Sequence, residues 1–139
     1  MKDNYRDLRV AVLGGGTVGA EVAHRLLEGA GELGSRSGAG LSLIGVAVRN
    51  LDAVRTPAIP KELLTTDAQS LIVQADIVVE LMGGIEPART LILEALGSGA
   101  DVVTANKALL AEHGPELFDA AARVGAQLYY EAAVAAAIP

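Results

Sequence analysis

The feature that most constrains the fold is a regular alternation of short apolar runs with longer segments of helical periodicity. The apolar runs predict five strands, at residues 8–13, 41–48, 75–84, 100–106 and 126–132. The segments between them predict helices at 17–33, 66–74 and 86–99, and one or two helices over 107–125. Strands that alternate with helices indicate βαβ crossovers and a parallel sheet. Because the strands are nearly continuous apolar runs, we expect a doubly wound α/β domain with helices on both faces of the sheet.

Local signals refine the boundaries of these elements. The Gly- and Ser-rich stretch "GSRSGAG" (34–40) and the Pro-containing stretch "TPAIP" (56–60) predict loops. Thr66 or Asp67 is a plausible N-cap for the helix that follows, and Pro87 is expected near the start of the next helix.

Composition narrows the class of partner. A chain of 139 residues that is 51% hydrophobic suits one folded domain. The absence of Cys excludes disulfides and thiolate metal sites, and it fits a cytoplasmic protein. The net charge of −6 argues against nucleic acid, and the apolar runs are shorter than the roughly 20 residues that span a membrane. We therefore expect a small-molecule ligand, with neither a nucleic-acid nor a membrane partner.

The stretch "VLGGGTVG" (12–19) follows the first predicted strand and opens the first predicted helix. Its glycines match G-x-G-x-x-G, the dinucleotide fingerprint of a Rossmann-type fold. In that fingerprint the three glycines allow the turn, the approach of a pyrophosphate, and close packing of helix on strand. The alternative is a glycine-rich structural turn that binds nothing. The predicted pyrophosphate loop consists of Gly14, Gly16, Thr17, Val18 and Gly19.

The residues after the second strand predict which dinucleotide is bound. An NAD-selective site usually has Asp or Glu at this point, bonded to the ribose 2′-hydroxyl. Here the chain has Arg49 and Asn50, with Asp52 and Arg55 later. A guanidinium suits a 2′-phosphate, so NADP is expected to be preferred and NAD tolerated. The alternative is that Arg49 is a solvated loop cation.

Two later strand ends are expected at the same edge of the sheet. "ELMGG" (80–84) would let a ribose or nicotinamide pass close to Gly83. "TANK" (104–107) brings Lys107 to this edge, where it could bond a substrate hydroxyl or carboxylate, or simply be solvated.

The chain resembles the homoserine dehydrogenases in "VAVLGGGTVG", "GVAVRN", "VVELMGG", "VVTANKALLAEHGPEL" and "YYEAAVAAAIP". These enzymes interconvert L-homoserine and L-aspartate 4-semialdehyde with NAD(P), on the route to threonine, methionine and isoleucine. The resemblance implies that Gly14 to Gly19 hold the pyrophosphate and that Arg49 meets the 2′-phosphate. It also implies that Lys107 is catalytic and faces nicotinamide and substrate.

The closing segment of that family binds a monovalent cation, commonly sodium, largely through main-chain carbonyl oxygens. Such oxygens are suitable ligands for a hard cation. The family usually has glycine at position 136, where this chain has alanine. The resemblance places the cation ligands at Glu131, Val134, Ala136 and Ile138.

Homoserine dehydrogenases continue into a dimerising, substrate-binding domain. The resemblance implies that residues 1–139 form the NAD(P)-binding domain, with 1–7 a flexible N-terminus and 131–139 the start of that connection. The expectation is a full-length homodimer or tetramer, and a 139-residue chain that binds cofactor with little or no turnover. The alternatives are another NAD(P)-dependent reductase of small metabolites, and a non-catalytic nucleotide-sensing module.

Overall fold

The computed structural model describes residues 7–37 and 40–131, with the backbone alone for 29–37. The strands are β1 (Leu8–Leu13), β2 (Leu41–Ala47), β3 (Leu64–Thr65), β4 (Ile77–Glu80), β5 (Asp101–Thr104) and β6 (Leu128–Tyr130). The helices are α1 (Thr17–Ser37), α2 (Ala68–Ile72), α3 (Ala88–Gly97) and α4 (Lys107–Val124), with a 3₁₀ turn at Lys61–Leu63. The strands form one sheet of order β3-β2-β1-β4-β5-β6, and every neighbouring pair is parallel. This order confirms the predicted doubly wound sheet.

The core lies on both faces of the sheet. Alternate residues of β1 point to opposite faces, as the period of a strand requires. Ala11 and Leu13 join an apolar cluster with residues of α2, α3 and α4. Val12 joins a second cluster, in which Ala20 and Ala23 of α1 are buried. The side chains of β1 are therefore covered on both sides, as the apolar run 8–13 predicted.

Three helix ends show recognisable chemistry, of which those at Asp67 and Pro87 were predicted. The Asp67 side chain accepts a hydrogen bond from Ser70 N at 3.1 Å, which makes Asp67 the N-cap of α2. Gly125 follows α4 with a φ of 73°, a left-handed conformation that glycine adopts without steric cost. Pro87 is the N-cap residue of α3, one position before the helix begins.

The structure differs from the prediction in one loop and one strand, and several other elements are shorter than predicted. The loop predicted at 34–40 begins later, because α1 continues to Ser37. Each added residue gains one backbone hydrogen bond, and this outweighs the modest helix propensity of Gly and Ser. The two-residue strand β3 was not predicted, because its pairing with Val46 and Ala47 leaves no periodic signal in so short a segment. In the part of the chain that the structure describes, no helix is long and apolar enough to cross a membrane.

Candidate functional site

Two cavities lie at the carboxyl ends of the central strands. The larger, of about 620 Å³, lies between the loop after β1, the loop after β2 and the residues after β4. The smaller, of about 180 Å³, lies between the start of α1 and the ends of β4 and β5. In open α/β sheets, ligands bind beyond the carboxyl ends of the strands, where the strand order reverses. In this sheet the order reverses at β1 and β4, so both cavities are where a ligand is expected.

The three glycines of the fingerprint have three different surroundings. Gly14 has a φ of 113°, and a Cβ there would lie 2.9 Å from the carbonyl oxygen of Leu81. A Cβ on Gly19 would overlap the carbonyl oxygen of Gly14, so helix α1 approaches the end of β1 closely only because Gly19 lacks a side chain. A Cβ on Gly16 would meet nothing within 4 Å. Gly14 and Gly19 therefore have packing reasons to be glycine, whereas the space beside Gly16 is open.

This open space lies at the start of α1, where the fingerprint would place a pyrophosphate. Thr17 is the first residue of α1, and the first N–H groups of a helix have no partner within the helix. Those N–H groups and the helix dipole together favour an anion at this end. Gly16 also lines the larger cavity, so an anion placed there would be continuous with a ligand in that cavity.

Arg55 lies across the glycine loop. Its Nε–H donates to the carbonyl oxygen of Gly15 at 3.2 Å, and its other nitrogens donate to the carbonyl oxygens of Ala53 at 3.0 Å and Asn50 at 2.5 Å. A Cβ on Gly15 would lie 2.8 Å from this Nε and 2.5 Å from Cγ1 of Val48. The Arg55 side chain thus ties the loop after β2 to the loop after β1, and Gly15 leaves room for it.

Arg49 and Arg55 are the two cations that line the larger cavity, and no Asp or Glu lines it among the described residues. Arg49 is exposed. Asp52 does not line the cavity, and its backbone N–H bonds the side chain of Asn50 at 2.9 Å. The cavity is therefore locally positive in a chain whose net charge is −6. This charge pattern suits a phosphate-bearing ligand.

The smaller cavity brings together Val18 and Gly83, two of the predicted residues. It also contains residues that the sequence interpretation missed. Glu80, Thr104 and Asn106 are the buried polar residues of the described chain, and Glu80 and Asn106 line this cavity. The signal available in the sequence was the carboxylate of Glu80, which directly follows the apolar residues of β4.

Lys107 is the first residue of α4 and is exposed. It directly follows Asn106, whose side chain caps the helix by accepting a hydrogen bond from Leu109 N at 3.0 Å. Lys107, Thr17 and Gly19 line neither cavity. The backbone places Lys107 beside the smaller cavity, because Ala105 and Asn106 form part of its wall.

Of the predicted cation ligands, Glu131 alone is described, and its backbone N–H donates to the carbonyl oxygen of Thr104 at 2.9 Å. Val134, Ala136 and Ile138 lie outside the described residues, as do residues 1–6 of the predicted flexible N-terminus. No group of three or more His, Cys, Asp or Glu that could hold a metal occurs within residues 7–37 and 40–131. The cation site stays a prediction.

Comparison with known proteins assigns the chain to a family. Residues 14–131 match the family model described as homoserine dehydrogenase, NAD binding domain. The chain belongs to this family. All residues that line the two cavities lie in the matched range, which begins at Gly14.

Individual homoserine dehydrogenases give the same result. The enzyme of Corynebacterium glutamicum is 51% identical over 132 residues, which cover 94% of this chain and 29% of the relative. That of Mycobacterium tuberculosis is 48% identical over 141 residues, covering 100% of this chain and 32% of the relative. The crystal structure of a homoserine dehydrogenase from Thiobacillus denitrificans superposes with a TM-score of 0.83 at 42% identity, covering 93% of this chain and 30% of the other. This NAD-binding domain therefore spans about 30% of the length of those relatives.

Proposed function

We propose that this chain binds NADP(H) in preference to NAD(H) as the dinucleotide-binding part of a homoserine dehydrogenase. The reaction proposed is the interconversion of L-homoserine and L-aspartate 4-semialdehyde. The observation that carries the proposal is the contrast among the glycines. Gly14 and Gly19 are enclosed by backbone, while Gly16 faces open space at the start of α1. The open space beside Gly16 differs from that beside an exposed glycine such as Gly97, because Gly16 also lines the larger cavity and directly precedes the first residue of α1.

The preference for NADP(H) rests on charge. Arg49 and Arg55 line the larger cavity, and no carboxylate among the described residues lines it to accept a bond from a ribose 2′-hydroxyl. The Arg55 guanidinium already donates to three carbonyl oxygens, so the exposed Arg49 is the better candidate for the 2′-phosphate. A charge-assisted, bidentate contact of this kind is among the stronger hydrogen bonds in proteins.

The proposed role of Lys107 concerns the reacting oxygen of the substrate. A lysine at the start of α4 and next to the smaller cavity can donate a hydrogen bond to that oxygen and stabilise developing negative charge on it. When bound, the nicotinamide would exchange a hydride with the carbon that carries the reacting oxygen. Asn106 fixes the start of α4, and with it the backbone from which the Lys107 side chain extends.

The proposal is tested by titrating the chain with NADPH and with NADH. We expect NADPH to bind more tightly, and Arg49→Ala to weaken NADPH by about 10- to 100-fold, as the loss of a charged hydrogen bond predicts. The affinity for NADH should change little. Arg123→Ala is the matched control, because Arg123 lies on α4, is exposed and does not line either cavity.

Each outcome has a definite meaning. Equal affinities for the two cofactors would contradict the preference for NADP(H) but not the binding of a dinucleotide. Loss of NADPH affinity in Arg123→Ala would show that removing any exposed arginine weakens binding, and that the effect of Arg49→Ala does not report a contact with the 2′-phosphate. Failure of the wild-type chain to bind either cofactor would contradict the proposed dinucleotide binding of the chain.

A further inference from the structure

Glu80 is a fully buried carboxylate at the end of β4, with 0% of its surface exposed. One carboxylate oxygen accepts the backbone N–H groups of Met82 at 3.0 Å and Gly83 at 3.2 Å. The other accepts the hydroxyl of Thr104, which is its register partner on β5. The side-chain amide of Asn106 adds a longer contact of 3.4 Å to the first oxygen. The carboxylate therefore bonds groups from the ends of two neighbouring strands.

Asn106 extends the network to helix α4 and to the glycine turn. Its backbone N–H donates to the Thr104 hydroxyl oxygen at 3.0 Å, and its side-chain oxygen caps α4. Its side-chain N–H donates to the carbonyl oxygen of Gly84 at 2.6 Å. A single set of hydrogen bonds thus joins the turn at Gly83 and Gly84 to the residue that precedes Lys107.

Burying a carboxylate costs folding free energy unless hydrogen bonds compensate for it, so a buried carboxylate indicates a specific role for its partners. Glu80 has no Lys, Arg or His within 4 Å among the described residues, so its oxygens are met by neutral donors. An acceptor-only group suits a position where four donors converge. Fully satisfied buried networks of this kind specify one local geometry. The geometry specified here is that of the smaller cavity, whose wall includes Met82, Gly83 and Asn106.

We propose that Glu80 is a positioning residue for the nicotinamide half of the dinucleotide, holding the Gly83–Gly84 turn and the start of α4 in one arrangement. This proposal rests on the proposed function. Gly83 and Gly84 have φ values of 76° and 75°, and a turn of two left-handed glycines is poorly defined without anchors. Glu80 lines the smaller cavity and not the larger one, whose wall holds Arg49 and Arg55. Of the residues that Glu80 bonds, Met82 alone also lines the larger cavity, so the effect should fall mainly on the half of the ligand in the smaller cavity.

The test compares two ligands that differ by the nicotinamide. The chain is titrated with NADPH and with 2′-phospho-ADP-ribose, which lacks the nicotinamide ring. In Glu80→Ala we expect the affinity for NADPH to fall by about 10-fold or more, since several hydrogen bonds that shape the cavity are lost. The affinity for 2′-phospho-ADP-ribose should stay within about 2-fold.

Three further variants separate positioning from general stability. Glu80→Gln keeps an acceptor oxygen for the two backbone N–H groups and can donate to the Thr104 oxygen, so it should restore most of the NADPH affinity. Thr104→Val removes, at nearly constant shape, the hydroxyl that donates to Glu80 and accepts from the Asn106 N–H. It should lower the NADPH affinity by less than Glu80→Ala does and leave the affinity for 2′-phospho-ADP-ribose nearly unchanged. Glu112→Ala, at an exposed site on α4, is the control and should change neither affinity.

A merely structural role predicts a different result. It would lower the melting temperature and weaken both ligands together, and that outcome would overturn the proposal, as would unchanged NADPH affinity in a folded Glu80→Ala chain. Should Glu80→Ala not fold, Thr104→Val decides by the same comparison. Failure of the proposed function is distinct, because the wild-type chain would then bind neither ligand.

Discussion

At the residue scale, neighbouring positions in the loop after β1 require glycine for different physical reasons. Gly14 needs a positive φ, Gly15 leaves room for the Arg55 side chain, and Gly19 allows α1 to approach the carbonyl oxygen of Gly14. The spacing of the fingerprint predicted the separate roles of Gly14, Gly16 and Gly19. The reason for Gly15 required the structure, because Arg55 is distant in sequence.

Gly19→Ala should destabilise the fold strongly. The added methyl group would overlap a backbone oxygen that cannot move without shifting β1 or α1. Overpacking of this kind costs about 1–3 kcal/mol, occasionally more. Urea unfolding followed by circular dichroism measures the effect, with Gly97→Ala as control, because a Cβ at Gly97 meets nothing within 4 Å. An unchanged unfolding midpoint in Gly19→Ala would contradict this account of the packing.

The two arginines of the larger cavity should differ in their effect on stability. Arg55→Ala removes three hydrogen bonds to backbone carbonyl oxygens and should lower the free energy of unfolding by about 1–2 kcal/mol. Arg49→Ala, at an exposed position, should stay within about 0.5 kcal/mol of wild type. Thermal unfolding of the two variants without ligand checks this. Equal losses would mean that Arg55 does not anchor the loop.

Glu80 marks what sequence reasoning missed at this scale. The apolar period of β4 and the glycines after it are local signals, and neither of them indicates the role of Glu80. The partners that explain Glu80 are Thr104 and Asn106, which are 24 and 26 residues away. Their relevance follows only from the register of β4 with β5, which pairs Glu80 with Thr104.

At the element scale, α4 begins with an unfavourable charge. Lys107 is its first residue, and the positive end of the helix dipole disfavours a cation there. Lys107→Ala should therefore stabilise the chain by about 0.3–1 kcal/mol, although the proposed function requires the lysine. Differential scanning calorimetry at low salt measures the gain. A clear loss of stability would show that Lys107 makes a structural contact.

Helices α3 and α4 are joined by Arg89, which bonds Glu116 on α4 and Glu86 just before α3. The hydrogen bonds and charge of Arg89 hold the pKa of Glu116 below its usual value of 4.5. The pKa of Glu86 is lowered chiefly by its hydrogen bond from Thr90 and also by Arg89. A lowered folded-state pKa gives stability that is present above pH 4.5 and is lost as the pH falls through the folded value.

The melting temperature of Arg89→Met, compared with that of wild type, tests this link. The difference should shrink as the pH falls below about 4.5, where the carboxylates become protonated. The arginine itself stays charged throughout, because its carboxylate partners raise its pKa further. Since these groups are exposed, the effect should be small and should weaken in salt. A difference that grows at acid pH would contradict the assignment.

Element boundaries show where local signals are sufficient. Asp67 carries its cap chemistry in the residue itself, so the start of α2 was predictable. Gly125 carries a comparable signal for the end of α4, which the sequence analysis did not use. The end of α1 was not predictable, because Gly34 and Ser35 resemble loop residues although the helix continues through them. Strand β3 depends on pairing with β2, which no local pattern encodes.

At the scale of the whole molecule, the strand order creates the site. With β1 and β4 adjacent at the centre of the sheet, the loops after β1, β2 and β4 meet around one cavity. Alternating apolar runs predicted the parallel sheet, and the fingerprint predicted which strand comes before the site. The separation into a positive larger cavity and a smaller cavity beside buried Glu80 arises from tertiary packing.

The most direct test of dinucleotide binding at the glycine loop is an NADPH titration of Gly16→Val beside Gly97→Val. A Cβ at either glycine meets no atom within 4 Å, and neither has a positive φ, so both variants should fold. Only the side chain at position 16 would occupy the space proposed for the pyrophosphate. We predict that Gly16→Val loses NADPH binding while Gly97→Val keeps wild-type affinity. Wild-type affinity in a folded Gly16→Val chain would contradict the account.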